Sequence, residues 1–185
     1  MKPTLGTLYL VPTPLDFGCE SQGQQADLRQ LLPQSTIAQA AGITHWVVEN
    51  AKSARAFLKR VQAVQALPCS LQEMDIAELP RAAHKKGDHG AGGDAAAAKA
   101  LLAPLLQGQN MGLLSEAGMP AVADPGSSIV RAAHGLGARV LPMVGPSSIL
   151  LALAASGLNG QQFAFVGYLP QNAAERGTRI KQLEG

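Results

Sequence analysis

The sequence predicts an α/β fold with a mostly parallel sheet flanked by helices. Short apolar runs alternate with helical stretches along most of the chain, as in successive βαβ units. Loops of small residues follow several of these runs, which is typical of parallel strands that end at a binding crevice. The chain has 185 residues, of which 46% are hydrophobic and 15% charged, so it can bury a sizeable core.

The first third of the chain predicts two strands and two helices. Thr7–Val11 is a short β-rich run closed by prolines, and Gln24–Leu32 is a short helix candidate that ends at the following proline. His45–Val48 is a buried strand. Ala51–Leu67 is a clear helix, because its apolar residues recur at spacings of three and four before a proline stops it.

The alternation continues through the rest of the predicted sheet. Cys69–Met74 is a weaker strand, and the polar residues Asp75–Gly93 are expected to form a long surface loop. Asp94 is expected to cap a helix over Ala95–Leu106. Four elements follow, namely a strand over Met111–Leu114, a helix over Ser127–His134, a strand over Arg139–Met143 and a helix over Ser147–Ala155.

The pattern after residue 157 predicts a change of domain. Residues 1–157 are expected to form the N-terminal α/β domain, and residues 158–185 the beginning of a second, truncated one. This tail offers one strand candidate, Phe163–Tyr168, and one charged helical segment, Ala173–Leu183. One strand and one helix cannot enclose a core by themselves.

Composition narrows the functional classes. A net charge of +2 is too small to indicate a nucleic-acid partner by itself. The longest apolar stretch, Ile149–Ala155, is too short to span a bilayer, and no signal peptide is apparent. The two cysteines show no metal spacing and no disulfide framework, so we expect a cytoplasmic protein. No metal site is predicted.

Two loops of small residues are the strongest functional signals. Residues 115–126 follow a predicted strand, and their small side chains let the backbone approach a ligand closely. Gly145-Pro-Ser-Ser148 follows the next predicted strand and opens a helix. Each turn alone is also explained by chain reversal or helix capping. Together, they predict two loops that face one small ligand.

Two basic segments leave alternatives open. Lys52 and Arg55 lie three residues apart, hence on one helix face, where they could receive phosphates or form a solvated face. Residues 84–94 contain two histidines and two aspartates, but their spacing fits no compact metal site. This segment could be a mobile loop that covers a charged substrate or a solvated loop without a role.

Several motifs resemble one known family when they are taken together. Leu114-Ser-Glu-Ala-Gly-Met-Pro-Ala-Val-Ala-Asp-Pro-Gly126 resembles the Ser-Asp-Ala-Gly-Thr-Pro-x-x-x-Asp-Pro-Gly signature of the ribosomal RNA small subunit methyltransferase I branch of the tetrapyrrole methylase superfamily. Glu49-Asn-Ala-Lys-Ser-Ala-Arg55 is similar to its Glu-Asp-Thr-Arg-x-Thr-Arg segment, and the motifs at 6–14, 144–147, 154–158 and 163–170 follow in the same order.

The resemblance implies two α/β domains with S-adenosylmethionine in the cleft between them, usually in a homodimer. By position, the implied cofactor-binding residues are Gly118, Met119, Pro120, Val122, Ala123, Ser147 and Ser148, with Pro14 and Leu15 closing the pocket. The sequence departs from the family pattern at Glu116 and Met119, where the signature has Asp and Thr, and at 50–52, where Asn-Ala-Lys replaces Asp-Thr-Arg.

Methyl transfer to a hydroxyl also requires a proton acceptor. Glu49 and Glu116 are the acidic candidates at predicted strand ends, with Asp16 as a third, and Lys52 and Arg55 would hold a substrate phosphate. Three functions therefore stay open. They are a ribosomal RNA ribose 2′-O-methyltransferase, a corrin or porphyrin methyltransferase, and a non-catalytic module that retains the fold and binds the cofactor or a partner.

Overall fold

The computed structural model describes residues 4–16, 25–80 and 95–184. The chain divides into two compact units, Met1–Ser148 and Ile149–Gly185. The first unit contains the sheet and all the loops discussed above.

The sheet confirms the predicted α/β fold. Five strands pair in parallel in the order β3-β2-β4-β1-β5. Their bounds are β1 Thr7–Leu10, β2 His45–Val48, β3 Asp75–Glu78, β4 Met111–Leu114 and β5 Arg139–Pro142. In register, Trp46 of β2 and Tyr9 of β1 both lie beside Gly112 of β4.

Seven α-helices and one 3₁₀ turn occur in the described residues. The 3₁₀ turn is Leu28–Gln30. The helices are α1 Gln34–Ala41, α2 Ala51–Val64, α3 Ala95–Leu101, α4 Ala103–Leu106, α5 Ser127–Gly135, α6 Ser148–Ser156 and α7 Ala173–Glu184.

Two predicted elements are wrong in position. Only a 3₁₀ turn forms where a helix over Gln24–Leu32 was expected, and α1 begins after Pro33, which is its N-cap. A proline fits there because the first turn of a helix does not use its backbone N–H. The strand predicted over Cys69–Met74 lies instead at Asp75–Glu78, within the predicted loop.

Two further differences between the predicted and the observed elements each concern one segment. The helix expected over Ala95–Leu106 is divided into α3 and α4, because Leu102 leaves helical geometry just before Pro104. Phe163–Tyr168 forms no strand. Asp94 and the segment 84–94 lie outside the described residues.

Both faces of the sheet are covered by apolar packing. One cluster joins α1 and α2 to β2 and includes Ile37, Leu58 and Trp46. The other joins α3, α4 and α5 to the opposite face and includes Leu102 and Ile129. Burial on both faces explains why β4 has a continuous apolar sequence rather than an alternating one.

The strand order creates a crevice at the carboxyl ends of β2 and β4. These strands are neighbours, but the chain leaves β2 toward the β3 edge and leaves β4 past β1 toward β5. Where two adjacent parallel strands send their connections in opposite directions, the loops separate and leave space for a ligand. Glu49 follows β2 and Ser115 follows β4 at this point.

The second unit has several large apolar side chains at its surface. It comprises most of α6 and all of α7, and it exposes large apolar side chains that include Leu150, Leu151, Phe163 and Tyr168. In the described part of the chain, no helix combines the length and the apolar character needed to cross a membrane.

Candidate active site

The loops after β1 and β4 are joined by backbone hydrogen bonds. The N–H of Thr13 donates to the carbonyl of Gly118 at 2.9 Å, and the N–H of Gly118 donates to the carbonyl of Thr13 at 3.0 Å. The Thr13 hydroxyl donates to the carbonyl of Ser115 at 3.3 Å. Gly118 has φ +76°, and a Cβ there would lie 3.2 Å from Leu15, so the position favours glycine.

The loop after β5 approaches the same place. A Cβ on Gly145 would lie 2.2 Å from the Pro12 ring, and the carbonyl oxygen of Pro146 lies 3.6 Å from the Cβ position of Gly118. The three loops that follow β1, β4 and β5 therefore pack together at the carboxyl edge of the sheet. That the loops after β4 and β5 face one small ligand stays a prediction, and β1 lies between these two strands in the sheet.

Three carboxylates meet at the crevice between β2 and β4, which we call the acidic crevice (Glu49, Glu116 and Asp124). Burial raises the pKa of Glu49 to about 7, and the charges of Asp124 and Glu116 add to this rise. A hydrogen bond from the backbone N–H of Glu116 partly opposes it. The Oε1 atom of Glu49 is buried and has no hydrogen-bond partner in the protein.

The other two carboxylates are held by neighbouring hydroxyls. Burial raises the pKa of Asp124, a hydrogen bond from Ser115 opposes the rise, and the charge of Glu116 adds to it. The Ser53 hydroxyl lies 3.2 Å from Oε1 of Glu116 and 3.1 Å from the carbonyl of Asn50. Glu49 is thus the member of the acidic crevice that has a buried acceptor atom without a hydrogen-bond partner in the protein.

Helix α2 begins at the acidic crevice and carries the two predicted phosphate-binding residues. Its N-cap is Asn50, whose side-chain oxygen accepts from the N–H groups of Lys52 at 2.8 Å and Ser53 at 3.2 Å. Lys52 and Arg55 are both exposed within the first two turns. Their positions are compatible with contact to an extended anion that reaches the crevice.

An apolar cavity of about 390 Å³ lies on the other side of the β4–α5 loop. Its walls are largely aliphatic, and its polar lining side chains are those of Ser127 and Arg131. It is lined by Leu10, Met119, Pro120, Ala121, Val122, Ser127, Val130, Arg131 and Pro142. Ala121 and Ala123 have φ of 64° and 62°, so this part of the loop adopts a left-handed backbone that non-glycine residues rarely take.

A smaller polar cavity of about 180 Å³ lies between the β1 loop and α2. It is lined by Thr13, Pro14, Asp16, Gln25, Ser53, Ala54, Ala56, Phe57, Arg60, Ser115 and Glu116. Asp16 forms an ion pair with Arg60 at 2.9 Å, with side chains 21% and 12% exposed. This partner makes Asp16 a weaker candidate for a proton acceptor than Glu49.

The structure divides the predicted site residues between these features. Glu49 and Glu116 share the acidic crevice, Pro14 and Glu116 line the polar cavity, and Met119, Pro120 and Val122 line the apolar cavity. Gly118 and Leu15 contact each other at the junction of the loops. Ala123, Ser147 and Ser148 line neither of the two cavities.

Three residues of the site were missed from the sequence. Asp124 lies ten positions beyond the end of β4, after the left-handed residues Ala121 and Ala123, and its charge acts on Glu49. Ser53 and Arg131 lie on helices and reach the site by side-chain direction. For Arg131, the available signal in the sequence was its position four residues after Ser127 at the start of a helix.

Comparison with known proteins shows which family the chain belongs to. Residues 40–183 match the sequence model of the family described as Tetrapyrrole (Corrin/Porphyrin) Methylases, which is more than half of the chain. The chain belongs to the tetrapyrrole methylase family. The match includes β2 to β5, the acidic crevice and both loops predicted to bind the ligand.

Several curated relatives of this tetrapyrrole methylase carry the name "Ribosomal RNA small subunit methyltransferase I". The protein from Mesorhizobium japonicum is 36% identical over 183 residues, 99% of this chain and 52% of its own length. The protein from Bacillus subtilis is 27% identical over 183 residues, which are again 99% of this chain and 52% of its own length. That from Xylella fastidiosa is 41% identical over 86 residues, 46% of this chain and 32% of its own length. Nearly the whole chain is matched in the proteins from Mesorhizobium japonicum and Bacillus subtilis, and it spans about half of their length.

Proposed function

We propose that this chain is part of a methyltransferase that uses S-adenosylmethionine and acts on a ribose hydroxyl of small-subunit ribosomal RNA. One observation carries the proposal. The β4–α5 loop lines an apolar cavity with residues 119–122 and the acidic crevice with Glu116 and Asp124. A methyl donor and a proton acceptor would therefore both lie beside residues of this one loop. The names of the relatives support the choice of RNA as the substrate.

The residues of the apolar cavity fit the proposed cofactor. Its volume of about 390 Å³ falls in the range of small-molecule sites, which is roughly 300–1,000 Å³. Met119, Pro120 and Val122 offer apolar contacts to a nucleoside and to the carbon chains attached to a sulfonium. When bound, S-adenosylmethionine supplies an activated methyl group, so that the protein's main tasks are to position the acceptor and to manage its proton.

Glu49 is the residue we assign to proton acceptance. Its pKa of about 7 leaves a large fraction both ionised and sufficiently basic near neutral pH. The acceptor hydroxyl would donate its proton to the carboxylate of Glu49, whose Oε1 atom has no hydrogen-bond partner in the protein. Glu116 is held by Ser53 and contributes its charge, which raises the pKa of Glu49. We assign Glu116 a positioning and electrostatic role.

Lys52 and Arg55 would bind phosphates of the RNA next to the reacting ribose. Phosphate contacts fix the register of a nucleic acid without reading its sequence. A homodimer, taken from the family resemblance, and a cytoplasmic location, taken from the cysteine pattern, are further parts of the proposal. Sedimentation of the purified protein tests the dimer.

The experiment that tests the function has two steps. Calorimetric titration of the full chain with S-adenosylmethionine is expected to give saturable binding. Transfer of a labelled methyl group to small-subunit RNA, followed by nucleoside analysis, is expected to give a 2′-O-methylated nucleoside. No binding at millimolar cofactor would refute the methyltransferase. Binding with transfer to a porphyrin but not to RNA would refute RNA as the substrate, and binding without any transfer would favour a non-catalytic module.

A further inference from the structure

We propose that helix α2 carries three cations, Lys52, Arg55 and Lys59, that together bind the sugar–phosphate backbone of single-stranded RNA next to the acidic crevice. We call these three residues the basic track. The partner is the RNA substrate proposed above, so the inference rests on the proposed function. It adds Lys59 as a binding residue and gives the RNA a path along one helix face.

The three cations of the basic track lie on one exposed face of α2. At about 3.6 residues per turn, their positions fall within an arc of about 60° around the helix axis. All three are exposed, whereas the opposite face, which includes Leu58 and Val61, is buried. From the first cation to the last the helix rises about 10 Å. A nucleic-acid strand carries one charge per about 3.4 Å, so the basic track matches a run of about three phosphates.

The charges of the basic track do not stabilise α2. They follow one another at spacings of three and four residues, and like charges at such spacings repel each other on a helix. The sequence of α2 contains no acidic residue that could form a compensating pair within the helix. Glu78 accepts from the N–H of Ala51 at 2.7 Å, but this bond involves the backbone and no side chain of the basic track. The charge pattern therefore indicates an anionic partner rather than a merely solvated face.

Ion pairing distinguishes the basic track from the fourth cation of α2. Arg60 forms an ion pair with Asp16 at 2.9 Å and also donates to the carbonyl of Ala26 at 3.1 Å. In the described part of the chain, no ion pair involves a residue of the basic track. Arg55 makes one long contact of 3.5 Å to the carbonyl of Ala51, which leaves further guanidinium donors. The charges of the basic track can thus serve a ligand, while Arg60 binds the protein itself.

The place of the basic track in the fold favours an extended polyanion. Glu49 and Asn50 join β2 to α2, so the helix begins at the acidic crevice and then runs along one face of the sheet. The carboxylates of the crevice repel phosphates and the basic track attracts them, which directs a strand that reaches the crevice onto α2. Phe57, the one aromatic residue of α2, is 6% exposed, so the helix offers no stacking surface to bases. We therefore expect contacts to the backbone that do not read the sequence.

The experiment measures how salt changes the affinity for single-stranded RNA. Fluorescence anisotropy with two labelled oligonucleotides, equal in length and different in sequence, is recorded over a range of salt concentrations for wild type, Lys59→Gln and Lys59→Glu. Lys99→Gln and Lys99→Glu are matched controls, because Lys99 is an exposed lysine on α3, which packs on the opposite face of the sheet. Arg139→Gln is a second control, because Arg139 is exposed at the amino end of the sheet.

Lys59→Gln is expected to weaken RNA binding about threefold to fivefold at moderate salt. It should reduce the slope of log affinity against log salt by about 0.7, as for one phosphate contact with a single strand. Lys59→Glu should weaken binding further, because it places a negative charge beside the phosphates. The losses should be equal for the two oligonucleotides, and the control variants should change neither the affinity nor the slope.

The outcomes separate this inference from the proposed function. An unchanged slope in both Lys59 variants, equal losses in the Lys59 and Lys99 variants, or a loss for one oligonucleotide alone would overturn the basic track while the methyltransferase stands. RNA binding that depends on Lys59, without any binding of S-adenosylmethionine, would support the basic track and refute the methyltransferase. Absence of RNA binding by the wild-type chain at low salt would also overturn the basic track, and the cofactor titration would then decide separately on the methyltransferase.

Discussion

The two sides of the β4–α5 loop differ in chemistry although they belong to one short segment. On one side, Glu49, Glu116 and Asp124 crowd negative charge into the acidic crevice. On the other side, aliphatic residues and Arg131 form the apolar cavity. The loop can face both ways because its backbone reverses at Ala121 and Ala123 and is held at Gly118. Each variant below affects one side or both.

Removing the proton acceptor should have the largest effect and should affect one side only. Glu49→Gln keeps the size of the side chain and its ability to accept from the Glu116 N–H, but it cannot take a proton. Methyl transfer is expected to fall about 10²- to 10⁴-fold, the usual contribution of a general base. Cofactor affinity, measured by calorimetry, should stay the same. Comparable transfer rates in wild type and variant would contradict the role of Glu49.

Distorting the loop junction should affect both sides. Gly118→Ala introduces a Cβ at φ +76°, 3.2 Å from Leu15, and should destabilise the fold by about 1–2 kcal/mol. Gly137→Ala is a matched control, since Gly137 has φ +75° and no atom within 4 Å of its Cβ position. Urea denaturation should show similar losses of stability for the two variants. Cofactor affinity and transfer should decrease in Gly118→Ala alone, and an equal decrease in both would contradict a local role of the junction.

The charge of Glu116 should set the pH dependence of the acidic crevice. Because Asp124 and Glu116 both raise the pKa of Glu49, Glu116→Gln should lower that pKa and move the acidic limb of kcat/KM to lower pH. Ser53→Ala removes the hydroxyl next to Glu116 but keeps the charge, so its acidic limb should stay nearer to that of wild type. An unshifted limb in Glu116→Gln would show that the crevice charges do not control the proton acceptor.

Glu49 should also make stability depend on pH. Its pKa is higher in the folded chain, at about 7, than the ordinary value of 4.5, so the folded state holds this proton more tightly. The resulting stabilisation is complete below about pH 4.5 and is lost as the pH rises to 7. Partial exposure of Glu49 screens the effect, which leaves a decrease of about 1 kcal/mol. Denaturation curves recorded across that pH range should show no such decrease in the free energy of unfolding for Glu49→Gln. An identical slope of this free energy against pH in wild type and variant would argue against the contribution of Glu49.

The smallest effect is expected at the start of α2. The double variant Lys52→Gln, Arg55→Gln should weaken RNA binding several-fold at moderate salt. It should also reduce the slope of log affinity against log salt by about 1.4, as for two phosphate contacts with a single strand. Fluorescence anisotropy with a labelled RNA oligonucleotide measures this, and Arg139→Gln is the matched control. An unchanged slope would mean that this helix face is merely solvated.

The elements that could be predicted from sequence are those with a local signal. Strands β1, β2, β4 and β5 are short apolar runs, and α2 has a regular apolar face. Strand β3 could not be found this way, because its sequence Asp-Ile-Ala-Glu carries acids at both ends, as suits an edge strand. Phe163–Tyr168 has high β-propensity but forms no strand, since that propensity needs a partner strand to take effect.

The site was predictable where it follows directly from strand ends. Glu49 and Glu116 come within two residues of β2 and β4, so the parallel topology brings them together. Asp124 and Arg131 depend on the path of the loop and the direction of a helix, which no local pattern specifies. Motif positions also do not say which cavity a residue lines, and Pro14 and Met119, which were predicted for one pocket, line different cavities.

The close contact between β2 and β4 gives the protein a built-in optical probe. Trp46 is the one tryptophan of the sequence, its side chain is 1% exposed, and its indole N–H donates to the carbonyl of Ile43 at 3.1 Å. A Cβ on Gly112 would lie 2.2 Å from the indole ring, so the ring packs directly on the backbone of β4 and a larger residue at this position would displace it. Tryptophan emission therefore reports on the packing of the strand pair whose ends carry Glu49 and Glu116, without any label.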